Sequence, residues 1–272
     1  MSGHWTLDDI EWQRFDPSKV DRDILAIVRA ASMVEYNADD YVQYLCNVFP
    51  NDPEFAAAAR QWGAEERQHG LALARWARMA DPAFDFDGAF AAFLKGFRPN
   101  VDATHSIRGS RTGELLSRCM VEIGTSSFYS AIRDGTEEPV LKQICANIAR
   151  DEFGHYGMFR RQMHRYLASE GINLWTRIKT LIARAFEAKD DELAYAFHAG
   201  NQLPGLYDRE RAIRAYGAKA LRLYQPAHVE RGVTMALKAA GIARDGWWQR
   251  SIAALTYRLL QFRAKRFARV AA

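Results

Sequence analysis

Apolar positions recur along this chain at the three- and four-residue spacing of a helix almost from end to end. Alternating β-branched runs and Asn-Gly hairpin signals are missing. Most of the eight prolines fall where helices should start or stop. A first long helix opens at Asp16-Pro17-Ser18 and runs through Ile24, Ile27, Val28, Ala31 and Val34 to Phe49, stopping at Pro50. Pro17 suits an early helical position. A second runs from about Pro53 to Ala80, and a shorter Phe-rich one from about Phe86 to Phe97. After a loop over 98–110, helices are predicted from about Thr112 to Arg133 and from about Glu137 to Ser169, ending before Gly171. The remainder predicts helices at about Leu174–Ala199, Tyr207–Leu223, Ala227–Ala240 and Gly246–Val270, punctuated by Gly200, Pro204-Gly205, Gln225-Pro226 and Gly241.

Inside this pattern, acids stand where apolar residues are expected. Glu35 sits in Ala31-Ser32-Met33-Val34-Glu35-Tyr36, and Glu122 in Cys119-Met120-Val121-Glu122-Ile123-Gly124. Two further segments read Glu66-Arg67-Gln68-His69 and Glu152-Phe153-Gly154-His155. Residues three apart share a helix face, so each segment can aim a carboxylate and an imidazole at one ion. Glu35 lies 31 positions before Glu66, and Glu122 lies 30 before Glu152. Each interval spans one helical hairpin. At a rise of about 1.5 Å per residue, both glutamates of a hairpin stand roughly 20 Å from its turn. Two such hairpins packed as a four-helix bundle bring four Glu and two His to one level.

That is the ligand set of a carboxylate-bridged two-metal site, with the glutamates of the two Glu-x-x-His segments bridging. Glu35, Glu66, His69, Glu122, Glu152 and His155 are the candidate ligands. Four carboxylates balance two divalent metals, and hard oxygen with borderline nitrogen suits iron or manganese better than copper. Two iron ions are expected, with a mixed Mn/Fe pair as the other choice. Buried without metal, most of the four carboxylates would have to be protonated. Asp151 precedes one ligand and is placed to accept the spare imidazole N–H of His69 across the bundle. Tyr129 and Trp62 fall near the site face, where packing is the commoner role for an aromatic. His4, His105, His164, His198 and His228 have no matched acid and read as surface or loop residues.

At these residues the chain resembles the ferritin-like di-iron superfamily, and within it the soluble acyl-carrier-protein desaturases. Trp62-Gly63-Ala64-Glu65-Glu66-Arg67-Gln68-His69-Gly70 resembles that family's W-x-A-E-E-N-R-H-G segment. Ala149-Arg150-Asp151-Glu152-Phe153-Gly154-His155 resembles its A-x-D-E-x-x-H segment, and Glu122-Ile123-Gly124-Thr125 its E-x-x-T. The likeness covers about residues 20–170. It implies that Thr125 lies beside the oxygen-binding side of the irons and that the Asp151–His69 link belongs to an electron route. The chain is shorter than the plant desaturases, and N-oxygenases, rubrerythrins and small hydroxylases share the ligand motifs. The implied activity is O₂-dependent oxidation of an acyl chain on a carrier protein, with electrons from a ferredoxin or flavoprotein. Hydroxylation or N-oxygenation of a small substrate, and ferritin- or rubrerythrin-like iron or peroxide handling, are the alternatives. The extra helices after Gly171 argue against a storage cage, and a rubredoxin module would need Cys-x-x-Cys pairs, which are absent.

Composition adds limits. The 272 residues fit one all-α domain, with the ferritin-like bundle at about 17–170 and additional packed helices at about 172–272. A net charge of +4, evenly spread, does not point to nucleic acid. Cys46, Cys119 and Cys145 are scattered, the opening residues MSGHWTLDDIEWQRFD do not read as a leader, and no apolar run approaches the ~18 residues of a membrane span. A cytoplasmic homodimer is expected. The segment Trp247–Arg269 is strongly basic and can dock an acidic carrier protein or a membrane surface. A helix packed on the bundle with solvated arginines is the favoured expectation for it.

Overall fold

The computed structural model describes residues 4–186, 191–203, 205–242 and 246–271. Among these residues every regular element is a helix: α1 (Arg22–Tyr36), α2 (Ala38–Val48), α3 (Pro53–Ala80), α4 (Phe86–Gly96), α5 (Arg111–Gly135), α6 (Pro139–Glu170), α7 (Leu174–Phe186), α8 (Asp191–Gly200), α9 (Arg209–Ala220), α10 (Pro226–Ala240) and α11 (Trp247–Ala271). The all-α class read from the apolar spacing is therefore observed. None of the described helices is long and apolar enough to cross a membrane. The three cysteines are free.

Side-chain caps start the helices that matter most. Asp21 accepts from the Asp23 and Ile24 amides, Asp52 from Phe55 and Ser110 from Gly113. Glu138 accepts from Val140 and Leu141, and Pro53 and Pro139 each occupy an opening position whose N–H would go unused. Gly171 ends α6 in the left-handed region at φ 63°, where a Cβ would be strained.

Two departures from the sequence reading concern continuity. The expected single helix from Pro17 to Phe49 is a 3₁₀ turn over Pro17–Lys19 followed by α1 and α2. The break is Asn37, whose ψ of 14° leaves the helical range and whose N–H bifurcates to the Met33 and Val34 carbonyls. The expected helix Leu174–Ala199 is α7 and α8, with residues 187–190 outside the described residues, as is Pro204 of the expected Pro204-Gly205 turn. The expected Tyr207–Leu223 helix begins at Arg209, and its last turn, Leu221–Leu223, is 3₁₀.

The packing places α5 along α6, α1 along α3, and α3 against α6. Gly70 sets the closest approach. A Cβ there would stand 2.6 Å from the Tyr36 amide nitrogen and 2.8 Å from the Ser32 carbonyl of α1, so glycine lets α3 approach the backbone beside Glu35. Two apolar clusters flank the level of the acids. One holds Ile27, Val28, Trp76, Tyr129, Ile144 and Ile148; the other holds Phe49, Phe55, Trp62, Leu115, Phe159 and Met163. Each fully buried side chain of this size contributes roughly 1.5–3 kcal/mol, which is what lets a polar layer be held between the clusters. The later helices wrap this unit: α7 and α10 pack on α5, α8 on α1 and α4, and α9 and α10 carry α11.

Candidate metal centre

α1, α3, α5 and α6 each carry their acid inward. Glu35, Glu66, His69, Glu122, Glu152 and His155 are all buried, none more than 6% exposed. They form two groups whose ligand atoms lie within 4.8 Å of one another: Glu35, Glu66, His69 and Glu152, and Glu66, Glu122, Glu152 and His155. Glu66 and Glu152 belong to both. His69 Nδ1 stands 3.8 Å from Glu35, 3.7 Å from Glu66 and 3.5 Å from Glu152. His155 Nδ1 stands 3.0 Å from Glu66, 3.6 Å from Glu122 and 3.7 Å from Glu152.

These residues can hold metal ions. Both Nδ1 atoms, both Glu122 oxygens and Glu152 Oε1 are buried without a hydrogen-bond partner, and all converge on one place. Unpartnered buried polar atoms are costly, and a cation satisfies such a set at once. Nitrogen and oxygen donors in this proportion suit a divalent first-row metal.

The opposite imidazole nitrogens are held from behind. His69 Nε2 lies 3.1 Å from Asp151 Oδ2 and His155 Nε2 lies 2.7 Å from Glu65 Oε2. Each partner is the residue immediately before a candidate ligand on the facing helix. With an acid on Nε2, each ring presents Nδ1 to the centre. The sequence reading placed the Asp151 contact and missed Glu65. The signal was present, because Glu65-Glu66 repeats Asp151-Glu152 one hairpin earlier.

The contacts of Trp5 had no sequence signal. Trp5 Nε1 donates to Asp151 at 2.5 Å, and its ring stacks on His69 at 6.0 Å with planes 4° apart. Gln68 holds the Trp5 carbonyl at 2.8 Å. Tyr129, read from sequence as packing, lies in the apolar cluster and also donates its hydroxyl to Glu35. Trp62 does pack, edge-on against Phe159. Thr125 donates to Glu152 Oε2 at 2.7 Å and also lies within reach of its own i−4 carbonyl, that of Val121. It is half-buried beside the exposed Gly124.

The five other histidines do not all sit at the surface. His228 is buried and pairs with Asp134 at 2.9 Å; Arg133 first, and His228 with it, pull that carboxyl down to about 2. His198 is half-buried on α8. His4 meets Glu65 at 3.1 Å, while His105 and His164 are exposed.

The metal-free protonation pattern follows from burial and neighbours. Burial and the Glu66 carboxylate hold Glu35 well above the usual carboxylate range, and burial and Glu152 do the same to Glu122. Burial opposes ionisation of Glu66 and Glu152 too, but the protonated Glu35 beside Glu66 and the charged imidazoles of His155 and His69 beside both hold them below it. Burial disfavours the imidazolium forms of His69 and His155, and the surrounding carboxylates overcome it, raising both well above the usual value. Two neutral acids, two carboxylates and two imidazoliums sum to zero. Four carboxylates, two neutral imidazoles and two divalent ions also sum to zero.

No family model matches this chain, and no curated protein matches it. The site's chemistry therefore carries the functional reading.

Proposed function

We propose that the chain is an O₂-activating di-iron oxidoreductase built on a ferritin-like four-helix bundle, most like a soluble acyl-carrier-protein desaturase. The observation that carries this reading is the pair of overlapping donor groups, with Glu66 and Glu152 common to both. Glu66 and Glu152 would bridge two iron ions, Glu35 and His69 would complete one site, and Glu122 and His155 the other. When bound, a ferrous pair supplies the two-electron reducing power that activates O₂ toward an unactivated C–H bond.

The chain's own residues supply position, charge and access. The apolar clusters above and below the centre keep water from it. Asp151 and Glu65 fix the tautomers of His69 and His155. Tyr129 restrains Glu35, and Thr125 holds Glu152 with a hydroxyl beside the centre. Trp5, Asp151 and His69 form a continuous line from the N-terminal segment to the centre, the path along which an external donor's electrons would enter.

The test uses iron-loaded protein, a ferredoxin or flavoprotein reductant, O₂ and acyl-carrier substrates of several chain lengths. Oxidised acyl product from the wild type and none from Glu152→Ala is expected. Metal binding without acyl oxidation, together with turnover of peroxide or of an amine, would overturn the desaturase assignment. Absence of metal binding would overturn the di-iron reading itself.

A further inference from the structure

Helix α11 presents two different faces. One holds it to the protein: Ala253 and Ala264 are buried, Phe267 lies where a side chain at Gly217 of α9 would stand, and Gln249 donates to Thr234 of α10 at 2.6 Å. The other is apolar yet uncovered. Ile252, Leu255, Leu259 and Phe262 are 42%, 59%, 57% and 66% exposed. Their 3-4-3 spacing places them in a single stripe, away from the packed alanines. Trp247, 77% exposed, stands near one end of the helix.

Cations border this stripe. Arg263 lies on one side of it, Arg258, Lys265 and Arg269 on the other, and Arg266 continues its line. With Arg250 the helix carries six basic residues and no acid. None of the six is ion-paired among the described residues.

We infer that the outer face of α11 is a docking surface for an anionic lipid bilayer, lying in the plane of the interface. Leu255, Leu259 and Phe262 would enter the acyl boundary while the flanking arginines keep their guanidinium groups at the level of acidic headgroups. Charge decides against a second copy of this chain. A two-fold pairing of the face with itself would bring five cations against five, with no acid on the helix to compensate. An acidic protein would satisfy the arginines, but the ridge between them offers a partner only hydrocarbon. A bilayer meets both requirements in layers. This inference rests on α11 alone and stands apart from the reading of the metal centre.

The full-length protein would be floated with vesicles of phosphatidylcholine, alone or mixed with phosphatidylglycerol. Binding to the mixed vesicles alone is expected, weakening as salt is raised. Near an anionic surface each arginine contributes about fivefold in affinity, so Arg258→Glu/Arg266→Glu should weaken binding at least about 20-fold. Leu255→Ser/Leu259→Ser/Phe262→Ser should weaken it at least about tenfold by removing the inserted apolar area. All five positions are exposed, so melting temperature and iron content should match the wild type, which separates lost docking from lost folding. Binding that ignores phosphatidylglycerol, absence of binding, or unchanged binding by both variants would overturn the proposal. So would a wild-type dimer that the triple serine variant converts to monomer without any lipid association, since the face would then be a protein interface.

Discussion

Loading the centre with metal should expel protons in a defined number. In the metal-free protein Glu35 and Glu122 are held toward the neutral form and His69 and His155 toward the charged one. A ligand must give up its proton to coordinate. Two divalent ions should therefore displace about four protons, two per ion. Each proton is worth about 1.4 kcal/mol per pH unit, so loading of the pair should strengthen by about 5 kcal/mol for each unit of pH, over the range where those groups remain protonated in the metal-free protein. The sign carries into stability. All four groups have folded-state values raised above their unfolded ones, so the stability they contribute is present at low pH and is lost as pH rises through the folded values. Metal removes that loss, because it takes the protons' place. The gain in melting temperature on adding ferrous iron under anaerobic conditions should then be larger at pH 8 than at pH 6. Isothermal titration in two buffers of different ionisation enthalpy counts the protons directly. Release of one proton or none per pair of ions, or a gain in melting temperature that shrinks with pH, would refute the charge-balance argument.

Ligand substitutions should separate the two sites. Glu152→Ala removes a donor common to both groups and should abolish loading of both ions, whereas Glu35→Ala touches one group and should leave about one ion per chain by elemental analysis. Asp151→Asn keeps the hydrogen bond to His69 but removes the charge, and should slow reduction of the oxidised centre in stopped-flow more than it lowers iron affinity, which should fall by no more than about 10–100-fold. Away from the site, Glu138 caps α6 and accepts from the buried indole of Trp76 at 2.6 Å. Glu138→Ala loses a cap worth about 1 kcal/mol and strands a donor at about 1–3 kcal/mol, so urea unfolding should show a loss of roughly 2–4 kcal/mol.

The helices and the buried Glu/His cluster were legible because both depend on short-range geometry. Once Asp52-Pro53 opens α3, the 3.6-residue turn puts Glu66 and His69 on one face whatever else the chain does. Equal hairpin lengths then bring Glu35 level with Glu66, and Glu122 level with Glu152. The same arithmetic contained Glu65, which sits before Glu66 as Asp151 sits before Glu152. The break at Asn37 was illegible because its residues keep a helical apolar spacing and nothing local demands the altered ψ. His228 and Asp134 are 94 residues apart, and Trp5 and Asp151 are 146 apart. Nothing in the spacing of either pair signals contact. Their meeting is set by which helix faces pack together and where the N-terminal segment crosses them. Likewise, the sequence determined that α11 is basic and apolar by turns, while only the packed fold decided which apolar stripe α9 and α10 would cover. A helix can bury one stripe against its neighbours, and its own residues do not say which one the rest of the chain will reach.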